Sequence, residues 1–392
     1  MGTDTIITRS SLTRTRNKLR SGTVTLGFIG GSITEDGRSA HNWPEPVTRW
    51  FAETFPRTRI VVENAAIGAT GSDLALFRAE RDLIERHCDL IFVEFAVNDY
   101  LTASEPRMRA REGLLRKLLA DGRSELVLVY TYSQRMYEAM SRKEVPDSIA
   151  EFEQLAGHYG ISSVWAGRHA WEEVVKGRMT WDEWLPDGLH PTHRGSLSYG
   201  QCVIALLERE LTAAPQAAAL HAAPLHAASL HAASPDADTD ADASNPPVRA
   251  LPQALNPHHW ERTELVPFEE VQLEGPWTIR RAVALMPRVD RLLSTSAIGA
   301  TLSFSFSGRG LVLVFDFGKK SAEFVYRLDG GEAVAVSRDR PDWCKDGGWL
   351  RPYWIADELP EGRHHIELEV VHGNREDCRG TDFHLGIIGI LK

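Results

Sequence analysis

Cysteine is scarce in this sequence. The chain of 392 residues has four cysteines, Cys88, Cys202, Cys344 and Cys378, too few and too scattered for a disulfide framework or a paired-cysteine metal site. Cys344 and Cys378 lie in the same half of the chain and could meet there. We nevertheless expect free thiols.

Long apolar runs and an excess of basic residues are also lacking. No segment approaches the length of a membrane span, and the basic stretch MGTDTIITRSSLTRTRNKLRSG lacks the apolar core of a signal peptide. The net charge of -10 argues against general attraction to nucleic acid or to an anionic membrane surface. We therefore expect a cytoplasmic protein that binds neither nucleic acid nor membrane. The sequence leaves the oligomeric state open, a homo-oligomer included.

Length and composition predict two folded units joined by a linker. A chain of 392 residues is longer than one ordinary domain, and with 43% hydrophobic residues it can bury a sizeable core. From about Thr212 to Pro257 the sequence changes to LHAAP, LHAAS and LHAAS and then to PDADTDADASNPP, and the period of five matches neither helix nor strand. We predict a first domain at 1–211, a linker at 212–256 and a second domain at 257–392.

The linker repeats contain three histidines, His221, His226 and His231, which could in principle hold a metal. The surrounding Pro, Ser and Asp residues and the lack of a chelating pattern favour a solvated tether instead. We therefore predict no metal site in the linker.

Before the linker, apolar segments alternate with amphipathic ones. The apolar segments are short and rich in β-branched residues, as expected of strands buried on both faces: 23–29, 59–64, 89–96, 125–131 and 161–166. The segment SDLALFRAERDLIERH has an apolar stripe that includes Leu74, Phe77, Leu83 and Ile84, and this indicates a helix. The alternation predicts an α/β domain whose parallel sheet is covered by helices on both sides.

After the linker, the hydrophobic pattern changes to period two. The segments TLSFSFSGRGLVLVFDFG, AEFVYRLDGGEAVAVS, HHIELEVVHG and HLGIIGILK are typical of antiparallel strands, with Asp329, Gly330 and Gly331 as a hairpin turn. The second unit is predicted to be an all-β sandwich.

Two polar residues follow neighbouring strands of the predicted parallel sheet. In a sheet of order 2-1-3-4-5, the ligand-binding crevice lies beyond the carboxyl ends of strands one and three. The first strand leads into Gly31 and Ser32, and the third leads into Asn98. We therefore expect a hydroxyl and a carboxamide to meet at this crevice.

Ser32 by itself allows three interpretations, and each places it where a strand turns into a helix. It can cap that helix. It can belong to an anion-binding loop, although GGSIT lacks the lysine and the glycine spacing of a phosphate-binding motif. It can also be a nucleophile, which requires a base, an orienting acid and oxyanion donors elsewhere in the chain.

The segment LPDGLHPTHRG contains such a base and acid. Asp187 and His190 are three residues apart, so a short turn allows the carboxylate to hold one imidazole nitrogen while the other faces the crevice. His193 is a second candidate base, but it falls where the following helix is expected to begin, which favours a capping or surface role. The order of GGSIT, VND and DGLHP favours the nucleophile interpretation of Ser32.

These segments together resemble a known family. GFIGGSIT, NAAIGATGS, VEFAVND and DGLHP are similar, in order and spacing, to the four sequence blocks of the SGNH (GDSL-type) hydrolases, over roughly 23–211. The resemblance implies a flavodoxin-like three-layer α/β/α domain that hydrolyses esters without a metal or a cofactor. It implies Ser32 as nucleophile, His190 as general base and then acid, and Asp187 as the residue that orients it.

The resemblance also implies an oxyanion hole. Its donors would be the side-chain amide of Asn98, the backbone N–H of Ser32 and one N–H from the second block. Counting from Asn64 places Ala69 where the family has a glycine, with Gly68 just before it, so both stay as alternatives. In the first block, Gly31 stands where the family name implies aspartate; GGSIT is a familiar version, and the nucleophile is unaffected.

The substrate is less defined by the sequence. A jelly-roll-like β domain joined to an SGNH domain resembles the layout of carbohydrate acetyl esterases, so we expect acetyl esters on a carbohydrate or a small molecule. A lipase or acyl-thioesterase and a non-catalytic carbohydrate-binding protein are the alternatives. Six aromatic residues could contact substrate or could serve packing: Trp181, Trp184, Trp343, Trp349, Tyr353 and Trp354.

Overall fold

The chain folds into an α/β domain followed by an antiparallel β domain. The computed structural model describes residues 4–35, 42–212, 250–281, 289–316, 318–344 and 348–392. The three histidines of the linker repeats and most of the predicted linker lie outside these ranges. The predicted domain boundaries therefore stay predictions.

The first domain is built on a sheet that is parallel except at one edge. Its strands within the described ranges are β1 (Ile6–Ile7), β2 (Thr23–Gly30), β3 (Arg59–Asn64), β4 (Leu90–Glu94), β5 (Glu125–Val129) and β6 (Ser162–Val164). The order is β1-β6-β5-β4-β2-β3, so the five parallel strands have the predicted 2-1-3-4-5 order. The short β1, which pairs antiparallel with β6, was not predicted.

Helices cover both faces of this sheet. They are α1 (Thr13–Ser21), α2 (Pro44–Thr54), α3 (Ser72–Ala79), α4 (Ser104–Leu119), α5 (Tyr137–Ser141), α6 (Asp147–Tyr159), α7 (Ala166–Val175), α8 (Trp181–Trp184) and α9 (His193–Leu207). Every residue of β4 is buried, as expected of a central strand covered on both faces. The predicted α/β class is confirmed.

The segment predicted as one long helix from Ser72 has two parts. After α3 the backbone widens to a π-helical turn at Glu80–Ile84, where the N–H of Glu85 donates to the carbonyl of Glu80. The apolar stripe survives this change because Leu74, Phe77 and Leu83 are still buried.

The second domain consists of two antiparallel sheets. Their strands within the described ranges are β7 (Thr263–Leu265), β8 (Gln272–Glu274), β9 (Thr278–Arg280), β10 (Leu292–Thr295), β11 (Thr301–Ser307), β12 (Gly310–Asp316), β13 (Glu323–Leu328), β14 (Val334–Val336), β15 (Leu350–Ala356), β16 (Arg363–Val371) and β19 (Phe383–Leu391), while β17 (Gly373–Asn374) and β18 (Arg379–Gly380) form a separate ribbon. The sheet that faces the α/β domain has the order β15-β12-β19-β10-β9, with β7 also paired to β19, and the other has the order β14-β13-β16-β11-β8.

The predicted β sandwich and its hairpin turn are both present. Phe304, Leu313 and Ile366 belong to the core between the two sheets. Asp329 and Gly330, with φ values of 53° and 68°, connect β13 to β14, and two successive positive φ angles are characteristic of the tight turn that the sequence indicates.

The two domains share a buried apolar interface. On β12, Leu311 and Leu313 belong to the sandwich core, whereas Val312 and Val314 belong to the core of the α/β domain. This explains why β12 is a continuous apolar run that is buried on both faces. Gly389 on β19 permits the contact with α3, because a Cβ atom there would lie 2.5 Å from the Phe77 ring.

Polar contacts accompany this interface. Arg109 of α4 binds Glu358 at 2.5 Å, and Arg116 of α4 binds Glu261 at 2.7 Å. Arg116 also donates to the carbonyl of Pro252, so the last residues of the predicted linker lie against α4. The β domain is therefore held on one face of the α/β domain.

Within the described ranges, no helix combines the length and apolarity needed to cross a membrane. The four cysteines are buried thiols, so Cys344 and Cys378 are not joined by a disulfide.

Candidate active site

Ser32 lies in a turn that follows β2. The N–H groups of Thr34 and Glu35 both donate to the carbonyl of Gly31, at 3.0 Å each, and this closes the turn around Ser32. The expectation that a helix starts at Ser32 is wrong, because residues 32–35 form a turn and no helix; α2 begins at Pro44. Ser32 is therefore not the cap of α2, whose N-cap is Trp43.

A closed loop presents His190 to this turn. The N–H of Thr192 donates to the carbonyl of Trp184 at 2.9 Å, which ties the two ends of the loop together. Gly188 has a φ of 76°, a conformation that suits glycine, and its carbonyl accepts the N–H of Gln134 at 2.7 Å. The loop after β5 therefore fixes the loop that carries Asp187 and His190.

Ser32, His190 and Asp187 form one hydrogen-bonded chain. Ser32 Oγ lies 2.8 Å from His190 Nε2, and His190 Nδ1 lies 2.7 Å from Asp187 Oδ2. Since a carboxylate only accepts hydrogen bonds, Nδ1 carries the proton, and in the neutral ring Nε2 accepts the hydroxyl proton of Ser32. His193, the second candidate base, is instead the first residue of α9.

Asp187 is held ionised by its surroundings. Partial burial alone would raise its pKa, but hydrogen bonds from the ring of His190 and from the backbone N–H groups of His190 and Leu189 outweigh burial and keep the pKa below its ordinary value. The backbone donors both bind Oδ1, at 2.7 and 2.9 Å, which leaves Oδ2 for the imidazole. The carboxylate is thus fixed in orientation as well as in charge.

The chain of three residues is open to solvent. The side chains of His190 and Asp187 are 44% and 54% exposed. At this exposure the ion pair that forms when His190 is protonated is screened by water, and a water molecule can reach the imidazole.

Asn98 lies directly against the turn at residues 31–35, which we call the nucleophile turn because it contains the candidate nucleophile Ser32. It follows β4 at the start of a short 3-10 helix, Asn98–Leu101. A Cβ atom built on Gly31 would fall 2.0 Å from Asn98 Oδ1 and 2.5 Å from Nδ2. This contact explains why glycine precedes the serine, because an aspartate at that position would displace the carboxamide.

The second sequence block lies on the other side of the turn. The N–H of Ile67 donates to the carbonyl of Gly30 at 3.0 Å, which joins this loop to the nucleophile turn. Ala69 has a φ of 58°, unusual for a residue other than glycine. Gly68 is buried and Ala69 is only half-buried, and within the described residues neither N–H has a hydrogen-bond partner. The partial exposure of Ala69 favours it over Gly68 as the donor.

Sequence reasoning missed Glu94, a carboxyl group buried beneath the nucleophile turn. It ends β4 and accepts hydrogen bonds from Thr34 Oγ1 at 3.0 Å, from Thr131 Oγ1 at 2.8 Å and from the backbone of Gly31. Burial raises its pKa from 4.5 to about 7, although these hydrogen bonds oppose the shift. Its position as a single charged residue in the apolar run LIFVE was the available signal.

The raised pKa of Glu94 makes stability depend on pH. Folding favours the protonated form, so this stabilisation is complete below pH 4.5 and is lost as the pH rises through about 7. We expect the Tm of a Glu94→Gln variant, relative to wild type, to rise between about pH 5 and about pH 8, by the equivalent of about 3 kcal/mol. Glu85→Gln, at an exposed position, is the control. A Tm difference for Glu94→Gln that does not change with pH would contradict the expectation.

Asp99, next to Asn98, is a second buried carboxylate that the sequence did not reveal as part of the site. Its Oδ1 accepts the N–H of Ser72 at 2.9 Å, and its Oδ2 accepts Arg111 Nε at 2.8 Å. Arg111 is fully buried and also donates to the carbonyl of Ser148. This network fixes the loop that carries Asn98 to α3, α4 and α6.

The aromatic candidates divide into packing residues and one exposed residue. Trp184 is fully buried and donates to Tyr199 Oη at 3.1 Å, so it packs under the Asp187 loop. Trp354 packs against Trp260, with ring centroids 4.6 Å apart, at the domain interface. Trp343 is 52% exposed, and its ring lies 5.1 Å from that of Trp349.

Much of the α/β domain matches a known family model. Residues 28–196 match the model of the GDSL-like lipase/acylhydrolase family. The α/β domain is therefore similar to this family, as the four sequence blocks predict. No curated protein matches the chain in sequence.

Solved structures with similar folds include two carbohydrate esterases. One is a two-domain esterase active on acetylated mannans, crystallised with mannopentaose; it has 21% identity and a TM-score of 0.77, and the match covers 98% of this chain and 96% of that one. Another is an acetylxylan esterase from Geobacillus stearothermophilus, with 20% identity and a TM-score of 0.39 over 48% of this chain and 95% of that one. The two-domain fold is thus shared over nearly the whole chain with the first of these.

Proposed function

We propose that the protein is a serine esterase that removes acetyl groups from a carbohydrate through an acyl-enzyme intermediate. The observation that carries this proposal is the hydrogen-bonded chain from Ser32 through His190 to Asp187, with the carboxamide of Asn98 against the adjacent Gly31. These are the groups that ester hydrolysis by a nucleophilic serine requires.

In the first half of the reaction, Ser32 Oγ attacks the ester carbonyl while His190 Nε2 takes the hydroxyl proton. Asp187 stabilises the imidazolium through the bond to Nδ1. The negative oxygen of the tetrahedral intermediate is bound by the amide of Asn98 and by the N–H groups of Ser32 and Ala69. His190 then gives its proton to the leaving alcohol, and the acyl group stays on Ser32.

In the second half, water replaces the alcohol. His190 removes a proton from water, which attacks the acyl-enzyme through a second tetrahedral intermediate at the same donors. Collapse of this intermediate returns the proton to Ser32 and releases the acid. The exposure of His190 supports this step, because water has direct access to the imidazole.

Two observations support an acetylated carbohydrate as substrate. The fold is shared with an esterase active on acetylated mannans over 96% of that chain. The β domain also presents the exposed ring of Trp343 beside Trp349, and Trp349 reaches the loop of Ala69. Exposed aromatic rings provide apolar faces for sugar rings.

The proposal is tested by labelling and hydrolysis. We expect a fluorophosphonate probe to modify the wild-type protein at Ser32, located by mass spectrometry, and we expect p-nitrophenyl acetate to be hydrolysed. Acetate release is then compared on acetylated mannan, acetylated xylan and acetylated chito-oligosaccharides, and chain-length preference is compared with p-nitrophenyl acetate and octanoate.

Each outcome decides one part of the proposal. A folded protein that is neither labelled nor active would disprove the esterase. Equal turnover of acetyl and octanoyl esters would disprove the acetyl preference and favour a lipase or acyl-thioesterase. Activity on p-nitrophenyl acetate without acetate release from any of the three carbohydrates would disprove the carbohydrate substrate.

A further inference from the structure

A residue of the β domain makes a hydrogen bond to the loop of the second sequence block. The indole Nε1–H of Trp349 donates to the carbonyl of Ala69 at 3.1 Å, although the two residues are separated by 280 positions in the sequence. The bond therefore joins the two domains next to the nucleophile turn, since the same loop is also bound to Gly30 through Ile67.

The acceptor of this bond is a strained residue. Ala69 has a φ of 58°, and this left-handed conformation is less favourable for an alanine than the ordinary helical region. A conformation of this kind persists when its surroundings determine it. Before Ala69, the loop is held by the hydrogen bond from the N–H of Ile67 to the carbonyl of Gly30. After Ala69, Thr70 Oγ1 donates back to the carbonyl of Ile67 at 2.8 Å. The carbonyl of Ala69 itself is held by Trp349.

The donor is firmly held by the β domain. Trp349 immediately precedes β15, and its backbone N–H donates to the carboxylate of Asp316 on β12. The guanidinium of Arg351 lies 5.0 Å from the ring centroid of Trp349, and the ring of Trp343 lies 5.1 Å away. The direction of the indole N–H is therefore set by the β domain and not by the α/β domain.

We infer that Trp349 is a positioning residue for the oxyanion hole: it fixes the left-handed conformation of Ala69 and thereby the direction of the Ala69 N–H. This inference rests on the proposed esterase function and on Ala69 as the second-block donor. It gives the β domain a part in the chemical step that is separate from any contact with sugar. Trp349 does not touch the reacting atoms and acts through Ala69.

The test compares three tryptophan variants on p-nitrophenyl acetate, a substrate without a sugar. Trp349→Phe removes the N–H donor and keeps an aromatic ring. We expect kcat to fall about 10- to 100-fold, because a small displacement of a catalytic donor has an effect of this size. We expect KM to change by less than about twofold, since the bond acts on the transition state. The rate of fluorophosphonate labelling is expected to fall in parallel.

The controls separate this role from the loss of any other indole hydrogen bond. Trp354→Phe removes another hydrogen bond across the same interface, from Trp354 Nε1 to Asp73 Oδ2, which does not involve Ala69. Trp277→Phe removes an indole hydrogen bond within the β domain, from Trp277 Nε1 to the carbonyl of Glu274. Both variants are expected to keep the wild-type kcat on p-nitrophenyl acetate. If Trp349→Phe does not fold, benzothienylalanine at position 349 retains the ring size and lacks only the N–H, and it is expected to give the same loss of kcat.

The outcomes are distinguishable. An unchanged kcat in a folded Trp349 variant, or an equal loss in the Trp349 and Trp354 variants, would overturn the role of Trp349 while leaving the esterase intact. A wild-type protein that is neither active nor labelled would overturn the proposed function itself.

Discussion

Replacing Ser32 with alanine is expected to lower kcat for p-nitrophenyl acetate by at least about 10⁴-fold and to abolish fluorophosphonate labelling. In the proposed mechanism Ser32 Oγ forms the acyl-enzyme, and this atom lies 2.8 Å from Nε2 of His190, the proposed base. Removal of a nucleophilic serine leaves only the contribution of binding and of the oxyanion donors. The measurement is steady-state hydrolysis together with mass spectrometry of the probe-treated protein.

Thermal unfolding measurements distinguish the loss of the nucleophile from a loss of folded protein. Ser32 makes its side-chain hydrogen bond to His190 at a solvent-exposed site, so its loss should leave Tm within about 2 °C of wild type. Ser141→Ala is a matched control, because Ser141 is exposed and its hydroxyl bonds only the carbonyl of Glu138. Retention of activity or labelling by Ser32→Ala would show that another residue is the nucleophile.

Replacing Asp187 with asparagine is expected to lower kcat by about 10³- to 10⁴-fold, more than replacing it with alanine. The N–H groups of Leu189 and His190 both bind Oδ1, so the asparagine oxygen will occupy that position and its NH₂ group will face His190 Nδ1. Nδ1 must then accept a hydrogen bond, which moves the ring proton to Nε2. In that tautomer the imidazole cannot take the proton of Ser32.

Alanine does not impose the wrong tautomer. At a position that is 54% exposed, water can take the place of the carboxylate and accept the Nδ1–H bond. We therefore expect Asp187→Ala to retain more activity than Asp187→Asn, although less than wild type. Asp182→Asn is the control, since Asp182 is an exposed carboxylate in the neighbouring helix α8. The reverse order of the two Asp187 variants would contradict the tautomer argument.

Much of the fold was predictable because its signals are local. Continuous apolar runs such as LIFVE in β4 predict strands buried on both faces, and the run in β3 has the observed bounds. The period-two pattern and the turn at Asp329 and Gly330 likewise predict the β sandwich. The prediction of a helix at Ser32 was wrong, because two hydrogen bonds to the carbonyl of Gly31 close a turn there. The residues that follow a strand do not by themselves distinguish such a turn from the first turn of a helix.

The candidate site was predictable as a set of residues but not as an arrangement. Ser32, Asn98, Asp187 and His190 stand in recognisable sequence blocks, and the structure brings Ser32, His190 and Asp187 into one hydrogen-bonded chain. The roles of Glu94 and Asp99 were not predictable, because the sequence does not reveal which distant residues form hydrogen bonds to a buried carboxyl group. The choice between Gly68 and Ala69 also needed backbone angles and exposure.

By itself the sequence determined the two fold classes, which depend on hydrophobic period, and the candidate site residues, which stand in local sequence blocks. Only the tertiary structure decided that Glu94 lies beneath the nucleophile turn and that Trp349 reaches Ala69. Contacts between residues 280 positions apart depend on how two separately patterned domains pack, and no periodicity within either domain encodes that packing.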